Sequence, residues 1–140
     1  MSVLAFDFGI NSIGVAVGNE FTMSATPLEA VKARDGIPNA DQINALFKEW
    51  QPSYIVVGYP INMDGTKEEL TFKARKFGNR LADKFKLKVY FKDERLTTAD
   101  AKERIFSQYG YKGLASKGKI DCVSAALILE AFFEEKAVSG

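Results

Sequence analysis

The sequence predicts an α/β domain with helices on both faces of a mixed five-stranded sheet, in which three antiparallel N-terminal strands precede two parallel strands. Three observations lead to this fold class. Two short apolar runs lie close together at the N-terminus, a loosely alternating run follows, and the chain then alternates between helical and strand patterns. With 140 residues and 46% hydrophobic content, the chain is long enough for one domain, residues 1–140, with a substantial core.

The first two apolar runs, residues 3–9 and 13–18, predict a hairpin because a turn-like segment of glycine, asparagine and serine joins them. Asp7 is expected near its tip. Residues 21–31 alternate loosely and predict the third antiparallel strand. These three strands form the N-terminal part of the predicted sheet.

The rest of the chain follows a helix and strand alternation. Apolar residues at helical spacing predict a helix that ends before Pro52, and the continuous apolar run 54–58 predicts a strand covered on both faces. A polar helix over about 67–85 and an edge strand over 87–91 come next. We then expect a helix capped by Thr97 or Thr98, a mobile basic loop over 108–119 and a last helix over about 120–135.

Composition excludes several kinds of chemistry. A single cysteine, Cys122, precludes an internal disulfide and is expected to be a small buried helix residue, and the absence of histidine removes Ser-His and Cys-His catalysis and the commonest zinc ligand. No run approaches the ~20 apolar residues of a membrane span, and no basic leader is present, so we expect a cytoplasmic protein without a membrane partner.

The net charge of +1 conceals an uneven distribution along the chain. Residues 67–119 carry 15 Lys and Arg against 7 Asp and Glu, whereas the segments on either side are acidic. Such asymmetry is compatible with nucleic-acid binding on one face. It is equally compatible with a pair of solvated lysine-rich helices.

Three acidic residues occupy unusual positions. Asp7 lies between two phenylalanines, Glu94 directly follows a strand, and Asp121 opens a helix whose same face is apolar. If the first and last parallel strands were neighbours, their carboxyl ends would bring Asp7 and Glu94 together. Three converging carboxylates would repel one another, so a divalent cation is the natural partner, and oxygen ligands favour Mg²⁺ or Mn²⁺.

Each of these acids also has a simpler interpretation. Asp7 could bond the backbone of the following turn, Asp121 could only stabilise a helix dipole, and Glu94 could be a surface charge at a strand end. The segment from Gly58 to Gly65 lies between a strand and a helix, where backbone amides can bind a phosphate, but an unliganded turn explains it equally well. No single residue decides between these interpretations.

The combination of four sequence blocks resembles the bacterial YqgF/RuvX family. The blocks occur in order and span nearly the whole chain: Asp7-Phe8-Gly9 with residues 13–16, residues 57–65, residues 93–98 with Ala101, and residues 119–121 with residues 125–129. The resemblance implies an RNase H-like fold and a role in maturing the 5′ end of small-subunit ribosomal RNA precursors, and the family is also described as Holliday-junction-resolvase-like. By position it marks Asp7, Glu94 and Asp121 as the acidic site.

The chain departs from the family pattern at two places. Members often carry Thr-Lys-Arg where this chain has Ile10-Asn11-Ser12, which removes an expected basic contact at that turn. Lys88 replaces a common proline before the last strand, a change that should affect only the start of the strand.

The resulting hypothesis is a Mg²⁺- or Mn²⁺-dependent endonuclease of the two-metal-ion type. Asp7 would bridge the ions, while Glu94 and Asp121 would complete their coordination. Its partners would be pre-16S rRNA or branched DNA, and ribosomal particles, with the protein a monomer or weak homodimer. The expected substrate-binding residues are Gly9, Asn62, Asp64, Lys73, Lys76, Arg80, Arg95, Thr98, Lys112, Lys117 and Lys119.

Other functions remain open at this level. A Holliday junction resolvase and a non-catalytic nucleic-acid-binding or ribosome-assembly module both fit the same features. Aspartate, glycines and a hairpin also resemble the phosphate loop of actin-like and sugar-kinase ATPases, although those proteins need a second large domain around the nucleotide.

Overall fold

The computed structural model of the protein describes residues 2–59, 68–93 and 117–139. Its strands are β1 (Ser2–Asp7), β2 (Ser12–Asn19), β3 (Ser24–Pro27), β4 (Val31–Arg34), β5 (Ile37–Pro38), β6 (Tyr54–Tyr59) and β7 (Lys88–Asp93). Its helices within these ranges are α1 (Ala40–Trp50), α2 (Glu68–Phe85) and α3 (Lys117–Ser139).

The strands form one mixed sheet in the order β5-β4-β2-β1-β6-β7, with β3 also paired to β2. The β1–β2 hairpin is antiparallel and ends with Asp7 opposite Gly14, so the predicted position of Asp7 near its tip is confirmed. Strands β6 and β7 continue the sheet in parallel with β1. The predicted α/β class, with antiparallel strands first and parallel strands later, is therefore confirmed.

The two faces of the sheet bury different cores. On one face, alternate residues such as Leu4 and Phe6 pack with side chains of α1 and α2, including Phe47 and Phe77. On the other face, Val3 and Ala5 pack against Ile128, Leu129 and Phe133 of α3. The prediction of helices on both faces is confirmed.

The N-terminal antiparallel part contains more strands than the five-stranded prediction allowed. The predicted third strand over 21–31 is divided between β3 and β4, and a short β4–β5 hairpin adds a further edge. The chain turns with positive φ at Met23 before β3 and at Asp35 and Gly36 before β5. The turn at Asp35 and Gly36 separates β4 from β5, whereas β3 ends at Pro27, which has no backbone N–H to continue the pairing.

Two other expectations need correction. The first and last parallel strands are not neighbours, because β6 lies between β1 and β7. The last helix begins at Lys117 and not near residue 120, so Lys117 and Lys119 lie on a helix instead of in the predicted basic loop, and Asp121 is its fifth residue. The capped helix near residue 98 and the loop over 108–116 lie outside the described residues.

The other predicted elements agree with the structure. Helix α1 ends before Pro52, α2 spans the predicted polar helix, and β7 forms an edge of the described sheet. Within the described residues, no helix is long and apolar enough to cross a membrane.

Candidate acidic site at the carboxyl edge of the sheet

Asp7 is the last residue of β1 and is only partly buried, although the four residues before it are fully buried. Side chains alternate along a strand, so Asp7 shares a face with Val3 and Ala5. Those two residues pack against α3. The carboxylate therefore belongs to the α3 side of the sheet, at its carboxyl edge.

Both strands beside Asp7 present a glycine to it. Gly14 is its antiparallel partner on β2, and Gly58 is its parallel partner on β6. The next residue in this row is Lys92 on β7, which is paired with Gly58. Because glycine has no side chain, neither neighbouring strand places a side chain beside the carboxylate, and both glycines are buried.

The N-terminal part of α3 lies close to this row. The backbone N–H of Val15 donates to Sγ of Cys122 at 3.5 Å, and Val15 is the residue after Gly14. Cys122 is buried, as the sequence predicted. Asp121 directly precedes Cys122, and its position is one helical turn before Ala125, which packs on the sheet.

Gly9 lies two residues after Asp7, in a tight turn between β1 and β2. A Cβ atom at Gly9 would lie 2.3 Å from the carbonyl oxygen of Ser12. The turn therefore requires glycine for a structural reason, which is independent of any contact with substrate.

Other predicted site residues are described only in part. Glu94, Asn62, Asp64, Arg95, Thr98 and Lys112 lie outside the described residues, and only the backbones of Lys117, Lys119 and Asp121 are described. Among the side chains that the structure describes, no three Asp, Glu, Cys or His residues form a metal-binding group. The convergence of Asp7, Glu94 and Asp121 thus stays a prediction.

The predicted basic residues of α2 lie on the opposite face of the sheet from Asp7. Nζ of Lys73 donates to the carboxylate of Asp35 at 2.8 Å, while Lys76 and Arg80 are exposed. The hydrogen bond from Lys73, together with its charge, holds the pKa of Asp35 below its ordinary value. The structure therefore separates these cations from the α3 side of the sheet.

Sequence reasoning missed two features of this region. The sequence places Gly14 in the second apolar run and Gly58 at the start of a candidate phosphate-binding turn, but their alignment beside Asp7 depends on strand register, which distant segments of a sequence do not reveal. The Asp35–Lys73 pair joins a turn to a helix 38 residues later. The Asp-Gly sequence before α1 indicates a turn, but it does not indicate which lysine the aspartate of that turn contacts.

A protein-family model described as "RuvX: Holliday junction resolvase" matches residues 1–135. A protein of Aeromonas salmonicida, named a candidate pre-16S rRNA nuclease, is 59% identical over 135 residues, which are 96% of each chain. A protein of the same name from Shewanella oneidensis is 59% identical over 133 residues, or 95% of this chain and 94% of its own.

Solved structures of resolvases share the fold. Thermus thermophilus RuvC in complex with a Holliday junction aligns with a TM-score of 0.59 at 20% identity, covering 98% of this chain and 96% of that one. The yeast mitochondrial resolvase Ydc2 aligns with a TM-score of 0.54 at 15% identity, covering 96% and 78%. The fold is RNase H-like, and the resemblance seen in the four sequence blocks is confirmed. The chain belongs to the RuvX family.

Proposed function

We propose that the protein is a cytoplasmic endonuclease that cleaves phosphodiester bonds in 5′-end processing of pre-16S rRNA, with residues 1–140 acting as one domain. The observation that carries the proposal is a carboxylate, Asp7, at the carboxyl end of the central β1 strand, flanked by Gly14 and Gly58. Ligands of α/β sheets bind at this edge of the strands. The relatives named for pre-16S rRNA support the choice of substrate.

The residues available at this edge fit a hard divalent cation. Asp7 supplies oxygen ligands, the chain has no histidine, and its one thiol, Cys122, is buried beside Val15. Asp121 precedes Cys122 on the same helix. Glu94 directly follows β7 in the sequence.

In this proposal Asp7, Glu94 and Asp121 would hold the Mg²⁺ or Mn²⁺ ions of a two-metal-ion nuclease. When bound, such ions activate a water and stabilise the leaving oxygen of a phosphodiester. The protein's own part is to fix Asp7 on a strand whose preceding residues are fully buried. A carboxylate anchored in this way keeps its position when the substrate arrives.

Basic residues would bind the phosphates of the substrate. Arg95 and Lys119 are nearest to the acids in sequence, while Lys112 and Lys117 come from the neighbouring segment. Gly9, Asn62, Asp64 and Thr98 are proposed to contact the substrate at the same edge. Lys73, Lys76 and Arg80, on the other face, would bind a more distant part of the nucleic acid. Ribosomal particles are a further proposed partner, with the protein a monomer or weak homodimer.

The test is a cleavage assay on small-subunit rRNA precursor with Mg²⁺, Mn²⁺ or a chelator. We expect divalent-dependent cleavage by the wild type and at least a 100-fold loss in Asp7→Asn. Asp83→Asn is the matched control, because Asp83 is exposed on α2 and its weak ion pair with Lys86 spans 3.8 Å. Full activity of Asp7→Asn would overturn the assignment of Asp7.

A resolvase of branched DNA is the second candidate function, because the family model is described as a resolvase and RuvC shares the fold. A four-way DNA junction in the same assay separates the two: cleavage of the junction in preference to the rRNA precursor would replace the proposed substrate. Binding of either substrate without metal-dependent cleavage would instead indicate a non-catalytic assembly module.

A further inference from the structure

A cleft opens on the face of the sheet opposite Asp7, between α2 and the β4–β5 hairpin. It has a volume of about 310 Å³ and also reaches the first turns of α1. This volume lies at the lower end of the ~300–1,000 Å³ found for small-molecule sites, so the cleft has room for one small planar group.

The floor and one lip of the cleft are apolar. Ile43, Phe77 and Leu81 belong to the buried core beneath it, while Ile37 on the hairpin is 58% exposed. This combination suits a ring that enters edge-on between the hairpin and α2.

The opposite lip is basic. Lys73, Lys76, Arg80 and Lys84 line the cleft along α2. Lys73 is paired with Asp35 at the mouth, but no carboxylate in the described part of the chain pairs with Lys76 or Arg80. From Lys76 to Arg80 to Lys84 the cations repeat every four residues, a rise of about 6 Å per step.

A regular row of cations beside one apolar cavity matches a ligand that carries both regular negative charges and flat rings. Single-stranded nucleic acid has one phosphate per nucleotide and exposes unpaired bases, which proteins bind by apolar and aromatic contact. An acidic peptide would satisfy the cations but offers no ring for the cavity. The charge and the shape of the cleft therefore favour a nucleic acid.

We propose that this cleft binds a single-stranded stretch of RNA or DNA, with one unpaired base in the cavity and neighbouring phosphates on Lys76, Arg80 and Lys84. The cleft is joined to the acidic site through Phe8, which follows Asp7. Its ring lies 5.5 Å from that of Phe77, and its Cζ atom would be 2.9 Å from a Cβ at Gly36 on the hairpin.

The identification of this strand as part of the cleaved substrate rests on the proposed nuclease function, whereas binding in the cleft does not require cleavage. The experiment therefore measures binding in a chelator, by fluorescence anisotropy of labelled 12-nucleotide RNA and DNA single strands. The variant is Lys76→Ala/Arg80→Ala. The matched control is Lys48→Ala/Lys88→Ala, which removes the same charge from exposed positions that do not line the cleft.

We expect the cleft variant to bind at least tenfold more weakly than the control at 100 mM salt. Its slope of log affinity against log salt should fall by about 1.4, because two phosphate contacts are lost. One abasic nucleotide, placed at successive positions of the strand, should weaken wild-type binding at least fivefold at one position. Thermal melting of each variant checks that it is folded.

Equal losses in the cleft and control variants would overturn the proposal, as would an abasic scan without effect. Displacement of the oligonucleotide by polyglutamate at equal charge concentration would overturn it in favour of an acidic peptide. Comparison of the affinities for the RNA and the DNA oligonucleotides shows which of the two nucleic acids the cleft prefers. If the cleft variant binds more weakly but the wild type shows no metal-dependent cleavage, the binding cleft is supported and the proposed nuclease function is refuted. If the wild type cleaves but the cleft variant binds as well as the control, the nuclease function is supported and the binding cleft is refuted.

Discussion

Asp7 and Gly58 form the last aligned pair between the parallel strands β1 and β6. Residues paired in this way present their side chains to the same face of the sheet. Strand β6 therefore places no side chain beside the carboxylate at position 58. The same holds at Gly14 on β2. Asp7 thus has glycine as its partner on both neighbouring strands.

Replacing Gly58 by alanine should reduce the metal-dependent activity. The added methyl group would project beside the Asp7 carboxylate and reduce the room for a bound cation. We expect at least a tenfold loss of metal-dependent cleavage, with a higher Mg²⁺ concentration needed for half-maximal rate. The measurement is a Mg²⁺ titration of the cleavage rate, and an unchanged titration would show that position 58 does not limit the site.

Replacing Gly9 by alanine should act mainly on stability. Its Cβ would meet the Ser12 carbonyl oxygen at 2.3 Å, and backbone in a tight turn cannot move away cheaply. We expect a loss of about 1–3 kcal/mol in the free energy of unfolding, measured by urea denaturation. Asn11→Ala, at an exposed position of the same turn, is the control. A stable Gly9→Ala protein with weaker substrate binding would instead indicate direct contact with the substrate.

The sequence predicted those parts of the fold that depend on local periodicity. The apolar run around Phe6 identified β1, the helical spacing of Ala74, Phe77 and Leu81 identified the buried face of α2, and Pro52 located the end of α1. Each of these patterns is formed by residues that lie close together in the sequence. Local propensity and burial therefore agree with the final structure.

Features that depend on which strands meet could not be predicted in the same way. The position of β6 between β1 and β7 follows from pairing between residues 51 and 34 positions apart, such as Val3 with Tyr54 and Tyr54 with Lys88. Apolar strands such as β6 carry no alternation that identifies a neighbour. The start of α3 was hidden because Gly118 and the lysines beside it are typical of a loop. Asp7 was identified because a charge inside an apolar run is visible locally.

Shortening Leu129 should test the packing of α3 on the sheet. Leu129 is fully buried, and a Cβ at Gly18 would lie only 2.6 Å from its Cδ2 atom, which shows how closely the helix approaches β2. Leu129→Ala should cost about 2–5 kcal/mol of unfolding free energy. Glu134→Ala, at an exposed position of the same helix, should change it by less than about 0.5 kcal/mol. Equal unfolding midpoints for the two variants in urea would contradict this packing.

Tyr54 and Lys136 should make the protein sensitive to alkaline pH. Burial, followed by the charge of Glu20, raises the pKa of Tyr54 above its ordinary value of 10.0. A hydrogen bond to Glu20 raises the pKa of Lys136 above 10.5. Both groups hold their protons more tightly in the folded protein than in the unfolded chain. Their contribution to the free energy of unfolding is therefore complete at pH values below the ordinary pKa values, and it is lost as pH rises through the raised pKa values of the folded protein. Urea denaturation across this range should show the decline, and a constant midpoint would contradict it.

Removing the hydroxyl of Tyr54 should separate the two contributions. This hydroxyl is buried and has no hydrogen-bond partner among the described residues, although Nζ of Lys136 lies 5.0 Å from the centre of its ring. Tyr54→Phe keeps the ring and removes a polar atom whose burial costs about 1–3 kcal/mol when unpaired. We therefore expect a variant at least as stable as the wild type at pH 7, with a shallower loss of stability above pH ~10. A clear destabilisation at pH 7 would mean that the hydroxyl makes a favourable contact in solution.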